Sequence, residues 1–114
     1  MAGLSPTQLT LRQLREDPRF TQIEVVEKWV PHPPPGHRHD LFNIIDIIAI
    51  GPGITLAVQA TSVGGMSARK KKLTEALATR HALEAGWLLE LYGWEKKNNR
   101  WISRIHRFRL EQEP

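Results

Sequence analysis

The sequence has 114 residues, of which 40% are hydrophobic and 25% charged, a balance that is typical of a globular domain and excludes global disorder. This length predicts one domain, 1–114, and the absence of cysteine excludes disulfides and thiolate metal sites. No segment reaches the ~20 apolar residues that a membrane span requires, and the N-terminus lacks a basic start followed by an apolar block, so we expect a cytoplasmic protein.

The formal net charge is +4, and the basic residues are concentrated in the second half of the chain. Segment 69–80 contains five basic residues against one acidic residue, and segment 94–114 contains six against three. Positive charge in this arrangement predicts a surface that binds a polyanion. The alternative is a solvated helix face that only keeps the protein in solution.

The chain begins with a predicted helix and a predicted strand. Ser5 suits the N-cap and Pro6 the first helical position, and the helix is expected to run to about Asp17. Segment 20–30 alternates between two faces, which predicts the first strand. Segment 31–39 has four prolines among its first five residues, which cannot donate to a β-ladder, and it is therefore predicted to be a stiff surface loop.

Two apolar segments, 40–50 and 54–62, predict the second and third strands, joined by a turn at 51–53. The last seven residues of the first segment are apolar except for Asp46, which indicates a strand buried on both faces. An ionised carboxylate there is costly unless a cation, a hydrogen-bond network or a water-filled cleft receives it. If the two strands form an antiparallel hairpin, Asp46 lies near Gln59 on the neighbouring strand.

The rest of the chain predicts one long helix and two further strands. The main helix is expected over 67–85, and the strands over 87–92 and 101–110. Gly93 and segment 96–99 are expected in turns. The predicted element order is α-β-β-β-α-β-β, an α/β (α+β) fold with a mixed central sheet flanked by helices.

An acid on one strand followed by acid-x-Lys on the next is the signature of the metal-dependent PD-(D/E)xK nucleases, and the chain resembles this superfamily. Asp46 resembles the first acid, while Gln59 and Thr61 stand where the second acid and the lysine would be. The chain also resembles a phage and bacterial group of small nucleases related to Holliday junction resolvases. The series RHDLFNIIDIIAI…VQATS…ARKKKL…GW, within 24–101, carries this resemblance. It implies a restriction-endonuclease-like αβββαββ core.

The resemblance also implies a site for Mg²⁺ or Mn²⁺ that contains Asp46 and Gln59. Because Gln59 offers only a neutral carbonyl oxygen, a further acid is expected to assist. The resemblance favours Glu27 for this role, and a related arrangement takes the acid from the first helix. The alternatives to Glu27 are Glu16, Glu24 and Asp40.

The cation of the motif has to come from elsewhere, because Thr61 supplies one neutral donor and cannot stabilise an anion as an ammonium group does. Lys72, Lys70 or Arg69, near the start of the main helix, could take this place, and we favour Lys72. Basic side chains of the proline-rich loop and the main helix are expected to contact the DNA backbone. These residues are Arg38, His39, Arg69, Lys70, Lys71 and Arg80.

These features together predict a metal-dependent endodeoxyribonuclease that acts as a homodimer. Its partner is DNA, and the resemblance implies a branched substrate such as a Holliday junction. No nucleotide cofactor is expected, because the glycine pairs lack the lysine spacing of a P-loop. Two alternatives stay open: a catalytically inactive DNA-binding module of the same fold, and an assembly or adaptor subunit that binds an acidic protein partner.

Overall fold

The computed structural model describes residues 3–110, which form three α-helices and seven β-strands. The helices are α1 (Pro6–Arg15), α2 (Met66–Glu75) and α3 (Leu77–Glu84), with a short 3-10 helix over Val63–Gly65 before α2. The strands are β1 (Gln22–Val25), β2 (Lys28–Val30), β3 (His37–His39), β4 (Ile47–Gly51), β5 (Ile54–Ser62), β6 (Leu88–Lys97) and β7 (Arg100–Phe108). This mixed α and β composition agrees with the predicted fold class.

Five of the strands form one mixed sheet in the order β1-β4-β5-β6-β7. Neighbouring strands are antiparallel except β5 and β6, which are parallel and are connected through α2 and α3. The predicted β4–β5 hairpin is confirmed, and Gly51 pairs with Ile54 around a two-residue turn. β2 and β3 form a separate two-stranded sheet, which we call the β2–β3 ribbon.

The sheet has an apolar core on each face because its strands alternate between the two sides. One core joins Leu9 and Leu14 of α1 to Val58 of β5, among other residues. The second core contains Leu73 of α2 and Ala57 of β5. The helices therefore cover both faces of the sheet. Within residues 3–110, no helix is both long enough and apolar enough to cross a bilayer.

Two of the predicted strands are shorter than expected. The predicted strand over 20–30 is interrupted, since β1 ends at Val25 and β2 begins at Lys28. The predicted strand over 40–50 begins only at Ile47, because the residues before it form a turn. In this turn Phe42 and Asn43 both have positive φ angles, 55° and 64°, which an extended strand cannot contain.

The long predicted helix is in fact two helices, separated at Ala76, which has an extended ψ of 129°. In one continuous helix, Leu73 and Ala82 would point in opposite directions, because nine residues correspond to two and a half turns. The break allows both side chains to be buried. The prediction of a turn at Gly93 was wrong, since this residue lies inside β6.

Other local predictions are closer to the structure. Ser5 is the N-cap of α1 and forms a capping box with Gln8, as its sequence position indicated. Helix α1 ends at Arg15, slightly before the expected end. The predicted proline-rich loop is correct for the prolines themselves, but residues 37–39 pair with β2 and form a strand.

A glycine at the β4–β5 turn provides a test of the packing. A β-carbon at Gly51 would overlap the backbone carbonyl oxygen of Arg19, which cannot move as a flexible side chain does. We expect Gly51→Ala to lower the free energy of unfolding by about 1–3 kcal/mol. The matched control is Gly64→Ala, whose added carbon would have its nearest neighbour at 3.9 Å. Urea denaturation measures both, and equal stability of the two variants would contradict this account.

Candidate metal centre

Three carboxylates meet beside the sheet where β4 begins. Asp46 immediately precedes β4, Glu27 lies between β1 and β2, and Asp40 immediately follows β3. Each offers an oxygen atom, and these oxygen atoms all lie within 4.8 Å of one another. The backbone fixes part of this arrangement, because the Val26 amide donates to the Asp46 carbonyl at 2.8 Å. We call Glu27, Asp40 and Asp46 the acidic cluster.

Asp46 is the most buried member of the acidic cluster, with 5% of its surface exposed. Its Oδ2 atom accepts a hydrogen bond from the Ala60 amide of β5 at 2.9 Å. Burial raises the pKa of Asp46 from 3.8 to about 7; the Ala60 hydrogen bond opposes this effect, and Asp40 and Glu27 add to it. A cation between the carboxylates would remove much of this cost.

Gln59 is fully buried and contacts the acidic cluster through its amide nitrogen. Nε2 donates to the Ile44 carbonyl at 3.0 Å and to Asp40 Oδ2 at 3.5 Å. The opposite amide orientation would place Oε1 against two acceptors, so these neighbours determine the orientation. The Oε1 atom has no hydrogen-bond partner among residues 3–110. A buried acceptor without a partner is costly, and a bound cation or water would satisfy it.

A basic residue of the ribbon also reaches the acidic cluster. Arg38 Nη1 lies 3.6 Å from Glu27 Oε1, and the Arg38 side chain is 71% exposed. His39 is exposed next to Asp40. Arg38 is thus placed to contact both an acid of the cluster and an anion that approaches from solvent.

The other predicted site residues lie near α2 and α3. Thr61 is partly buried, and its hydroxyl lies beside Gly65, where a β-carbon would come within 2.5 Å of it. Lys72 is exposed on α2, and none of the ion pairs or hydrogen bonds within residues 3–110 joins it to the acidic cluster. Arg80 pairs with Glu84 at 3.5 Å. The remaining predicted DNA contacts on α2, Arg69, Lys70 and Lys71, are also exposed.

The structure brings Asp46 together with Glu27, which the resemblance favoured, and adds Asp40, which Gln59 contacts, as a full member of the cluster. Asp40 was only an alternative because it stands at the entrance of the predicted strand next to Arg38 and could simply pair with that residue. The turn that follows it carries it back towards Asp46. The other alternative acids, Glu16 and Glu24, are not in the cluster: Glu16 is the C-cap of α1, and Glu24 is exposed on β1.

The donor set consists of three carboxylates, whose oxygen atoms are the hard ligands that suit Mg²⁺ or Mn²⁺ and not a thiophilic metal. Comparison of the chain with protein-family models, with curated proteins and with solved structures gave no match. The chemistry and geometry of these side chains are therefore the basis for the function proposed for the chain.

Replacement of Asp46 by asparagine should change how stability depends on pH. The folded pKa of about 7 exceeds the ordinary 3.8, so the folded protein retains a proton that the unfolded chain has lost between these values. Stability from this group is present below pH 3.8 and is lost as the pH rises to about 7, on the order of 4 kcal/mol in total. Asp46→Asn removes this loss of stability, and the asparagine oxygen can still accept the hydrogen bond from the Ala60 amide.

Unfolding by urea in EDTA at pH 5 and pH 8 measures this difference. We expect Asp46→Asn to be more stable than the unaltered protein at pH 8, with a smaller difference at pH 5. Asp17→Asn is the control, because hydrogen bonds from Arg19 lower the pKa of Asp17, so its replacement should reduce stability at pH 8. If the stability of Asp46→Asn depends on pH as that of the unaltered protein does, the Asp46 carboxylate does not lower the stability at high pH.

Replacement of Gln59 by glutamate should destabilise the protein when no divalent cation is present. The new carboxylate would lose the Nε2 donor and face the Ile44 carbonyl and Asp40. We expect the free energy of unfolding in EDTA at pH 8 to fall by about 2 kcal/mol or more. Gln22→Glu, on an exposed strand position, is the matched control and should have little effect. Equal stabilities for the two variants would contradict the donor role of Gln59.

Proposed function

We propose that the chain is a metal-dependent endodeoxyribonuclease of the PD-(D/E)xK type. The observation that carries this proposal is the convergence of Glu27, Asp40 and Asp46 within 4.8 Å beside the fully buried Gln59. Asp46 and Gln59 come from neighbouring antiparallel strands, and extending the β4–β5 register by one residue places them opposite each other. The sheet order and the helical connection before the parallel strand support a restriction-endonuclease-like core.

The acidic cluster fits Mg²⁺ or Mn²⁺ because all three of its side chains provide carboxylate oxygen ligands. Glu27, Asp40 and Asp46 would hold the ion, and Gln59 would orient Asp40 through its Nε2 atom. Such an ion, when bound, neutralises charge on a phosphodiester and makes water a better nucleophile at neutral pH. Binding also requires ionised carboxylates, which the ion itself favours.

The side chains around the cluster have separate roles in this proposal. The Ala60 amide holds Asp46 Oδ2, so that the carboxylate keeps one orientation while its other oxygen is available for a ligand. Arg38, which already contacts Glu27, neutralises the phosphate and takes the place of the motif's lysine, which this chain lacks. Lys72 then contributes to the general attraction of the DNA backbone.

The substrate is proposed to be DNA because of the positive charge on α2. Its four exposed cations take part in none of the ion pairs found within residues 3–110. Cations that are not neutralised by the protein are available for phosphate groups. These residues are Arg69, Lys70, Lys71 and Lys72. The preference for branched DNA follows from the resemblance. The homodimer follows from the small size of the domain and from the two sites that two-fold symmetric cleavage needs, and both are proposals.

A catalytically inactive DNA-binding module is the second candidate. Two differences from the nuclease motif favour it. Thr61 lacks the charge of the motif's lysine, and Gln59 directs its nitrogen, not its oxygen, towards Asp40. In that case the fold and the basic surface bind DNA, while the acidic cluster only shapes the turn before β4. The two candidates differ in what Asp46 does for cleavage.

A cleavage assay separates the two candidates. Labelled linear, nicked, flap and four-way DNA is incubated with the protein in Mg²⁺, Mn²⁺ or EDTA. We expect cleavage only with a divalent ion, and a loss of at least ~100-fold in rate for Asp46→Asn and Asp40→Asn. DNA affinity should be unchanged or higher in these variants, because each removes one negative charge. Glu16→Gln, an acid outside the cluster, is the matched control and should cleave normally.

The same variants give a measure of metal binding that does not depend on turnover. Millimolar Mn²⁺ should raise the melting temperature of the unaltered protein and of Glu16→Gln, because a ligand of the folded state stabilises it. The melting temperature of Asp46→Asn should not respond. An identical response in all three proteins, together with uncut DNA in every condition, would favour the inactive module.

A further inference from the structure

Both strands of the β2–β3 ribbon are attached directly to the acidic cluster, at the same end of the ribbon. Glu27 immediately precedes β2, and Asp40 immediately follows β3. Consecutive Cα atoms are about 3.8 Å apart, so the first residue pair of the ribbon, Lys28 and His39, lies next to the cluster. A molecule bound along the ribbon is therefore close to the proposed cation site.

The ribbon exposes a large aromatic side chain. Trp29 has 61% of its surface exposed, although tryptophan is usually buried to a large extent. One side of its ring lies against Gly36, where a β-carbon would come within 2.9 Å of Trp29 Cε2. Gly36 also has a φ of 96°, which other residues rarely adopt. The ring is thus supported by the ribbon on one side and remains accessible from solvent.

One basic side chain lies beside Trp29. Arg38 is its direct partner across the ribbon and shares its face, whereas the adjacent pair, Lys28 and His39, points to the opposite face. All three of these side chains are exposed. An aromatic ring beside an arginine matches a nucleic acid, because the ring stacks on a base while the guanidinium binds phosphate. The Arg38 contact with Glu27 continues this surface into the acidic cluster.

The accessible ring also indicates what kind of DNA the ribbon fits. In a duplex, both faces of a base are covered by its neighbours, so that a tryptophan ring can stack only on a base that is unpaired or at an end. Base stacking on Trp29 would place the same strand beside Arg38. Its backbone then lies near the acidic cluster, where the cleaved phosphate would be.

We propose that Trp29 is a stacking platform for an unpaired base and that Arg38 binds the neighbouring phosphate. The ribbon therefore selects DNA that is single-stranded or frayed next to the cleaved bond. This inference rests on the proposed nuclease function and specifies the substrate class of the same site. A duplex without unpaired bases still binds through α2, but it lacks the contact with Trp29.

Binding measured in EDTA tests the inference without any need for cleavage. Fluorescence anisotropy compares labelled single-stranded DNA, a splayed-arm duplex and a blunt duplex of the same length. Trp29→Ala should reduce affinity for the first two about tenfold or more and leave the blunt duplex, where only the two terminal base pairs can stack on the ring, within about twofold. Trp29→Leu keeps apolar volume without a flat ring and should behave likewise, whereas Trp29→Phe should retain most of the affinity. The matched control, Trp101→Ala on β7, should leave the affinity for all three DNAs unchanged.

The outcomes distinguish this inference from the nuclease proposal. An equal loss of affinity for all three DNAs, or no loss, would overturn the stacking role of Trp29. Absence of any preference for unpaired DNA in the unaltered protein would do the same. If the preference holds but no DNA is cut in Mg²⁺ or Mn²⁺, the nuclease proposal fails and the ribbon inference stands. Melting temperatures of the variants verify that each one is folded.

Discussion

The hydrogen bond from the Ala60 amide to Asp46 Oδ2 is the interaction on which the candidate site depends. It holds a buried carboxylate at the point where β4 begins, within the hairpin that determines the register of β4 and β5. Burial raises the pKa of Asp46 to about 7, and one hydrogen bond does not offset this effect. Asp40 and Glu27 add negative charge at the same place. The fold therefore maintains an arrangement that a divalent cation would stabilise.

The neutral Gln59 is consistent with such a cluster once Asp40 is included. The acids Glu27, Asp40 and Asp46 already supply three carboxylates, so a fourth at position 59 would increase the repulsion. An amide can instead donate to Asp40 and to the Ile44 carbonyl and leave its oxygen without a partner. A neutral side chain at position 59 thus has a physical reason within this chain.

The distribution of elements separates stability from the proposed function. Helices α1, α2 and α3 bury the two apolar cores on opposite faces of the sheet. The acidic cluster lies instead in the turns and connecting segments next to the start of β4, and the ribbon extends from these segments. The ribbon contributes to neither core through Trp29, which is largely exposed. Its residues can therefore serve recognition without a large cost in stability.

Part of the candidate site could be predicted from the sequence because it depends on local rules. Strand alternation and the short glycine turn determine that Asp46 lies opposite Gln59, and the bounds of β5 agree with the prediction. The capping box of Ser5 and Gln8 is local as well, since all of its atoms belong to one helical turn.

The remaining features were decided by tertiary structure. The turn at Phe42 uses a positive φ that a bulky aromatic residue rarely adopts, so the sequence indicated a strand there. Asp40 joins the cluster only because this turn and the β2–β3 pairing bring together the segment before β2 and the segment before β4. Gly93 likewise lies inside β6 and not in a turn. Position 93 is occupied by glycine because a β-carbon there would overlap Met66 of α2. The sequence by itself determined the strand pair that carries Asp46 and Gln59, through residue periodicity and turn chemistry. Only the packing of separate elements decided which further acids and cations surround that pair, because these contacts join residues that no local rule relates.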